Sequence, residues 1–216
     1  MTAGGNRPSG VSRRALLVGM CLCPGAASAQ AKREVRKPTS PAISASQSVM
    51  SGAPLSVFLS NAPPGSRLAI ARPGDPAHAA IVVAEPRTAV AVLPTPGLAA
   101  TYELRMTADR DGAPVILLRQ PLVTTPPTAT LAAPDRVGRG QDLPIRGIGP
   151  NGEQDRVMLV LPDAPLDAEG LHFLPAENVE TTLEAPEQPG RYELRYVMNA
   201  PVSGRVVLAR RPVTVE

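Results

Sequence analysis

The chain carries one sequence pattern twice, and no other feature constrains its fold as tightly. Thr101-Tyr102-Glu103-Leu104-Arg105-Met106 matches Arg191-Tyr192-Glu193-Leu194-Arg195-Tyr196, and Val115–Thr124 matches Val206–Thr214 with one gap. Upstream, Ile43, Val49, Gly52, Leu55 and Val57 fall on Leu131, Val137, Gly140, Leu143 and Ile145 at a constant offset of 88 residues. Arg67 and Pro73 fall on Arg156 and Pro162 at an offset of 89, and Pro96-Gly97 falls on Pro189-Gly190. Matches that keep their order across both halves define a repeat of about 90 residues. The fold must therefore be one that a unit of this size can complete, built twice.

Thr125-Pro126-Pro127-Thr128 divides the copies. This gives a first domain at 41–125, a proline-rich linker at 126–128 and a second domain at 129–216. Paired prolines favour extended polyproline II, a short semi-rigid spacer that restricts how its neighbours can orient.

Within each copy, Pro and Gly (26 and 18 in all) lie between short apolar runs. In the second copy these runs cover 129–133, 141–148, 156–161, 171–174, 179–184, 191–198 and 205–215. No stretch keeps a 3.6-residue apolar period long enough for a substantial helix. Short strands at this spacing, separated by turn residues such as Asn151-Gly152 and Pro189-Gly190, predict an all-β chain of two tandem β-sandwich domains.

Period two puts Tyr192, Leu194 and Tyr196 on one face, the expected core side. Glu193 and Arg195 are then expected to face outward and pair across strands. Tyr192 follows a Pro-Gly turn at the start of the penultimate strand, the place of a tyrosine corner, whose ring hydroxyl bonds to nearby backbone. Tyr102 holds the same place in the first copy, and both are read as structural. Pro121 and Pro212 cannot donate to a ladder, so each marks a strand edge or a bulge. With three Tyr, two Phe and no Trp, the core depends on Val, Leu, Ile, Ala and Met. Small domains bury a limited share of their surface, so stability is expected to be modest and helped by contact between the domains.

Residues 1–29 read as a cleavable signal peptide. Arg13-Arg14 precedes a short apolar stretch from Ala15 to Cys23, Pro24-Gly25 breaks it, and Ala27-Ser28-Ala29 offers the small side chains a signal peptidase reads. The apolar stretch is too short to span a bilayer, so no stable membrane insertion is expected. Ser12-Arg13-Arg14-Ala15-Leu16-Leu17 resembles a twin-arginine (Tat) signal, although Val18 stands where such signals usually carry Lys. A general secretory (Sec) signal is the other reading. Either route predicts a periplasmic or secreted protein. Residues 30–40 form a flexible basic linker with Lys32, Arg33, Arg36 and Lys37. Both cysteines, Cys21 and Cys23, fall inside the signal, so the exported chain is expected to lack disulfides and thiolate chemistry. Its charge balances, with 19 basic residues against 19 acidic once Arg7, Arg13 and Arg14 are removed. That argues against nucleic acid as a partner.

The second copy carries Gly149-Pro150-Asn151 followed by Asp155, then Leu183-Glu184-Ala185-Pro186, Pro189-Gly190-Arg191-Tyr192-Glu193-Leu194-Arg195-Tyr196 and Val207-Leu208-Ala209-Arg210-Arg211-Pro212-Val213-Thr214-Val215. It resembles the immunoglobulin-like repeats of exported proteobacterial proteins, often attached to von Willebrand factor A domains. The resemblance covers most of 129–216 and, more weakly, 41–125. It implies immunoglobulin-like β-sandwiches and an accessory or adhesive role. The von Willebrand module with its Asp-x-Ser-x-Ser metal motif is absent from this sequence, and Arg146 stands where an aromatic residue is expected.

No residue set points to catalysis. There is no Gly-x-Ser-x-Gly elbow, no phosphate-cradling loop and no aromatic face for single strands. His78 and His172 are isolated and read as ordinary polar residues. A copper site joining them to Met50, Met106, Met158 and Met198 is the sharper reading, but the methionines are dispersed and fit core gaps better. Asp109-Arg110-Asp111-Gly112 reads as a hairpin turn rather than a calcium loop. No catalytic residue, cofactor ligand or metal ligand is assigned, and no cofactor is expected. The expected function is a non-catalytic periplasmic binding or scaffold protein acting on a protein partner in the cell envelope. An accessory subunit of an exported enzyme complex, whose active site lies on another chain, is the second reading. A copper-handling sandwich is the third.

Overall fold

A computed structural model describes residues 40–216. The expected signal peptide at 1–29 and nearly all of the basic linker at 30–40 lie outside the described residues.

The first copy contributes β1 (Ala42–Ala45), β2 (Ser48–Met50), β3 (Pro54–Ser60), β4 (Arg67–Ala71), β5 (Val82–Ala84), β6 (Val90–Pro94), β7 (Thr101–Arg110) and β8 (Ala113–Thr125). The second contributes β9 (Thr130–Ala132), β10 (Arg136–Val137), β11 (Asp142–Ile148), β12 (Arg156–Val160), β13 (Leu171–Phe173), β14 (Glu180–Glu184), β15 (Gly190–Ala200) and β16 (Gly204–Val215). No described residue is helical. Each copy pairs a three-stranded sheet, β1-β3-β6 or β9-β11-β14, with a five-stranded one, β2-β8-β7-β4-β5 or β10-β16-β15-β12-β13. All pairings are antiparallel except β2 with β8 and β10 with β16, where a short strand crosses to the second sheet and runs parallel to the last one. This strand order is that of an immunoglobulin-like sandwich. The chain is therefore all-β, with two such sandwiches in tandem. The crossing strands β2 and β10 hold three and two residues and are too short to leave a period in the sequence.

Alternation builds each core. Leu55 and Val57 of β3, Leu68 and Ile70 of β4, and Leu104 and Met106 of β7 meet between the sheets of the first sandwich. Leu143, Ile145, Val157, Leu159, Leu194 and Tyr196 do so in the second. Both tyrosine corners are formed: Tyr102 Oη donates to Leu98 O at 3.2 Å and Tyr192 Oη to Gln188 O at 3.0 Å. Pro121 and Pro212 lie just upstream of the short pairings of β8 with β2 and β16 with β10, on an otherwise open edge. The bulges fall elsewhere, at Leu117 and Leu208, each skipped in the register with the preceding strand. Asp111 and Gly112 take φ of 54° and 79° in the β7–β8 turn, the left-handed pair that a tight Asp-Gly hairpin requires.

The expected outward placement of Arg195 needs correction. It points away from the main core, yet it is only 3% exposed, and its counterpart Arg105 is fully buried. The segments 72–81 and 161–170, which connect β4 to β5 and β12 to β13, fold back across the outer face of the five-stranded sheets. Arg105 holds the first by donating from Nη2 to Arg72 O (2.9 Å) and from Nη1 to Pro76 O (3.2 Å). Arg195 holds the second, with Nη2 on Pro162 O (2.8 Å) and Nη1 on Ala164 O (2.7 Å). Glu193 does pair across strands, with Arg210 of β16. Arg195, its neighbour along β15, shares the same carboxylate. Arg195 and Arg210 stand directly opposite in register, as do Arg105 and Arg119. Two guanidinium groups so placed repel each other unless an acid lies between them. Glu193 and Glu103 fill that place. Burial pushes the Glu193 carboxyl up, but hydrogen bonds and charge from Arg195 and Arg210 hold it below 4.5.

Period two sorts residues between faces but does not report what covers the outer one. The signal lay in β4 and β12: Leu68-Ala69-Ile70-Ala71 and Val157-Met158-Leu159-Val160 are apolar without alternation and buried throughout, as in a sheet covered on both sides. Replacing Arg105 with Met leaves the carbonyls of Arg72 and Pro76 without their donor. It should cost about 2–4 kcal/mol in denaturant unfolding and open the 72–81 segment to limited proteolysis before global unfolding. Unchanged stability and protection would show that the buried guanidinium does not hold the loop.

Candidate functional site: the joint between the sandwiches

The described residues belong to one compact unit, and the two sandwiches touch directly as well as through the linker. From the first sandwich come the turn after β2 (Ser51, Gly52, Ala53) and the segment after β6 (Thr95, Pro96, Gly97). From the second come the β11–β12 connection and the β15–β16 hairpin. Gly97 N donates to Pro201 O at 2.8 Å, a main-chain hydrogen bond between sandwiches.

The approach is close because glycine allows it. A Cβ on Gly52 would lie 2.6 Å from Met198 Sδ, and the residue's φ of +81° disfavours a side chain in any case. A Cβ on Gly152 would lie 2.8 Å from Gly52 O, a backbone atom that cannot swing aside. A Cβ on Gly97 would collide with the Ser203 side chain. A groove of about 330 Å³ beside this contact is lined by Gly52, Pro94, Gly152, Gln154, Asn199 and Pro201, among others.

Both sides are braced from within. In the first sandwich, Thr95 Oγ1 donates to Ala53 O (2.7 Å) and Thr124 Oγ1 to Leu98 O (2.7 Å). In the second, the fully buried Asp155 gathers the loops. Its Oδ2 accepts from Gly152 N and Tyr196 Oη, both at 2.9 Å, and its Oδ1 from Asn199 N at 3.0 Å. Asn151 N in turn donates to Tyr196 Oη at 2.8 Å. Burial pushes the Asp155 carboxyl above 3.8, against the pull of its hydrogen bonds. Burial and the neighbouring Asp155 charge push the Tyr196 phenol well above 10. The first copy has Ser66 and Met106 at the corresponding positions, so it lacks this network. Tyr196 was legible as a core residue from its alternation. The role of Asp155 had no periodic signature, because it lies in a loop.

His78 and His172 are both exposed and lie in different sandwiches. His172 Nδ1 lies 2.9 Å from Gly170 O. Met106, Met158 and Met198 are buried, and Met50 is half-buried in β2. Met158 and His172 are cross-strand partners in β12 and β13. Among the described residues, no group of three His, Cys, Asp or Glu could hold a metal ion. The arrangement fixes the position of one sandwich against the other, and it brings no nucleophile to a base.

No family model matches the chain, and no curated protein does. Among solved structures, it is similar to a segment of two fibronectin type III domains from chicken tenascin (11% identity, 82% of this chain and 99% of that one, TM-score 0.33). It is similar also to the human OSCAR ligand-binding domain (18% identity, 82% and 98%, TM-score 0.30). A third is the Yersinia pseudotuberculosis adhesin InvE (17% identity, TM-score 0.28), of which this chain covers 60%. At such scores the immunoglobulin-like assignment rests on this chain's own strand order.

If the joint couples the sandwiches, the protein melts in one calorimetric transition. Gly152→Ala forces a methyl group against Gly52 O, an overpacking of about 1–3 kcal/mol. It should lower the melting temperature and separate the unfolding into two transitions. An unchanged single transition would show that the contact contributes nothing.

Proposed function

We propose that the chain is an exported, non-catalytic binding or scaffold protein that holds two sandwiches in a set relation and presents them to a protein partner in the cell envelope. The joint carries this reading. Three glycines, a buried Asp–Tyr network and an inter-sandwich hydrogen bond serve to fix geometry, which is what presentation of a composite surface needs.

Export is supported by the twin-arginine and Ala27-Ser28-Ala29 pattern. The balanced charge of the exported chain suits a protein partner better than a polyanion. No helix among the described residues is long and apolar enough to cross a membrane. The resemblance to repeats of exported proteobacterial proteins points the same way.

Fractionation of cells expressing the full chain tests the reading. The expected product is found outside the cytoplasm and begins at Gln30, and an Arg13→Lys, Arg14→Lys double substitution blocks its release if the Tat route is used. Crosslinking in the envelope should then yield a stoichiometric complex. Full-length protein retained in the cytoplasm would contradict the proposal.

A further inference from the structure

The joint contains an Asn-Gly pair, Asn151-Gly152, and such a pair has a chemistry of its own. The glycine nitrogen, once it has lost its proton, can attack the asparagine Cγ. An N–Cγ bond forms, the Cγ–Nδ2 bond breaks, and ammonia leaves with a proton taken from water. Water then opens the five-membered succinimide at one of its two carbonyls, giving aspartate or isoaspartate. The net change consumes a water and releases an ammonia, and it needs no oxidant or reductant. Glycine favours the reaction because it has no side chain to obstruct the approach. Asn61, Asn178 and Asn199 precede Ala62, Val179 and Ala200 and lack that freedom.

The fold occupies each group the reaction needs. Gly152 N, the nucleophile, donates to Asp155 Oδ2 at 2.9 Å. A carboxylate so placed opposes loss of the proton, since the amide anion would face a second negative charge. The Asn151 carboxamide is engaged as well: Gly149 N donates to its Oδ1 at 3.2 Å, and Tyr196 Oη lies 3.1 Å from the same oxygen. The bond from Gly149 turns the side chain back toward the preceding residues, away from the nitrogen that follows it. Gly152 is itself buried, and a Cβ there would lie 2.8 Å from Gly52 O, so the 151–152 peptide has little room to rotate. Asn151 holds a φ of 56°, a left-handed conformation that asparagine tolerates better than most side chains.

We propose that Asn151 is a deamidation site gated by the Asp155 network: it stays intact while the β11–β12 loop is closed and is converted when that loop opens. Conversion then keeps the loop open. Either product puts a carboxylate where the carboxamide now meets Tyr196 Oη, in the network that Asp155 already charges, and two carboxylates at that range repel each other. Isoaspartate also adds a methylene to the backbone beside Gly152, where the chain packs against Gly52 O. An opened joint becomes a permanently opened one. The inference rests on the loop and its network, and it stands whichever compartment or partner the protein has.

Peptide mass spectrometry of the purified protein, aged at mildly alkaline pH, tests the proposal. Amide-to-acid conversion at Asn151 should run at least tenfold slower in the native protein than in the same protein held in guanidinium chloride. In denaturant it should outpace conversion at Asn61, Asn178 and Asn199. Asp155→Asn removes the charge that holds the Gly152 proton, and under conditions where circular dichroism shows it folded it should convert faster than native wild type. Amide exchange in the wild type needs no variant to fold: Gly152 N–H should be protected by a factor similar to that which slows conversion. Protein aged in denaturant and refolded should melt in two transitions, as should Asn151→Asp. Native conversion as fast as denatured conversion would overturn the proposal. So would an unchanged rate in folded Asp155→Asn, a freely exchanging Gly152 amide, or converted protein that still melts in a single transition.

Discussion

Two backbones meet where no side chain could fit between them, and the arrangement of this molecule depends on that contact. Gly52, Gly97 and Gly152 bring the end of one sandwich against the loops of the other. A main-chain hydrogen bond, Gly97 to Pro201, closes the contact. Such an approach is useful only if the loops on each side keep their shape. In the second sandwich the Asp155 carboxylate ties two loops together through three donors and is buried to do so. The first copy lacks this network, with Ser66 and Met106 at the corresponding positions. The copies share a scaffold and differ at the joint.

A second device is common to both. Each sandwich folds a long connection over the outer face of its larger sheet and ties it to a buried guanidinium, Arg105 or Arg195. Burying an arginine is costly unless its donors are used. Here the loop carbonyls and a neighbouring glutamate use them. The result is a larger sheet whose central strands β4 and β12 are buried on both sides. The outward residues of the three-stranded sheets also differ between the copies: charged in the second, apolar and hydroxyl-bearing in the first.

Much of this was legible in the sequence because repetition and alternation are both periodic. The seven runs read in the second copy correspond to β9 and β11–β16. Tyr102 and Tyr192 follow their Pro-Gly turns into the expected corners, and Asp111-Gly112 forms the expected hairpin. What escaped was not periodic. The two-residue strand β10 has no pattern to show. Arg195 has the alternation of a surface residue, and only the loop folded above it makes it buried. Asp155 acts through backbone donors contributed by residues up to 44 positions away in sequence, a relation no local pattern encodes. The apolar outward residues of the first sandwich's smaller sheet were visible in principle, since Phe58, Val90 and Val92 alternate with core residues.

The central claim is that the glycine joint makes one rigid body of two sandwiches. Backbone ¹⁵N relaxation at low protein concentration tests it most directly, because each sandwich reports its own tumbling. A rigid joint gives strands β1–β8 and β9–β16 a single rotational diffusion tensor, with a correlation time set by the whole molecule. Two distinct, shorter correlation times would show the sandwiches moving independently about Pro126-Pro127, and the account of the joint would be wrong.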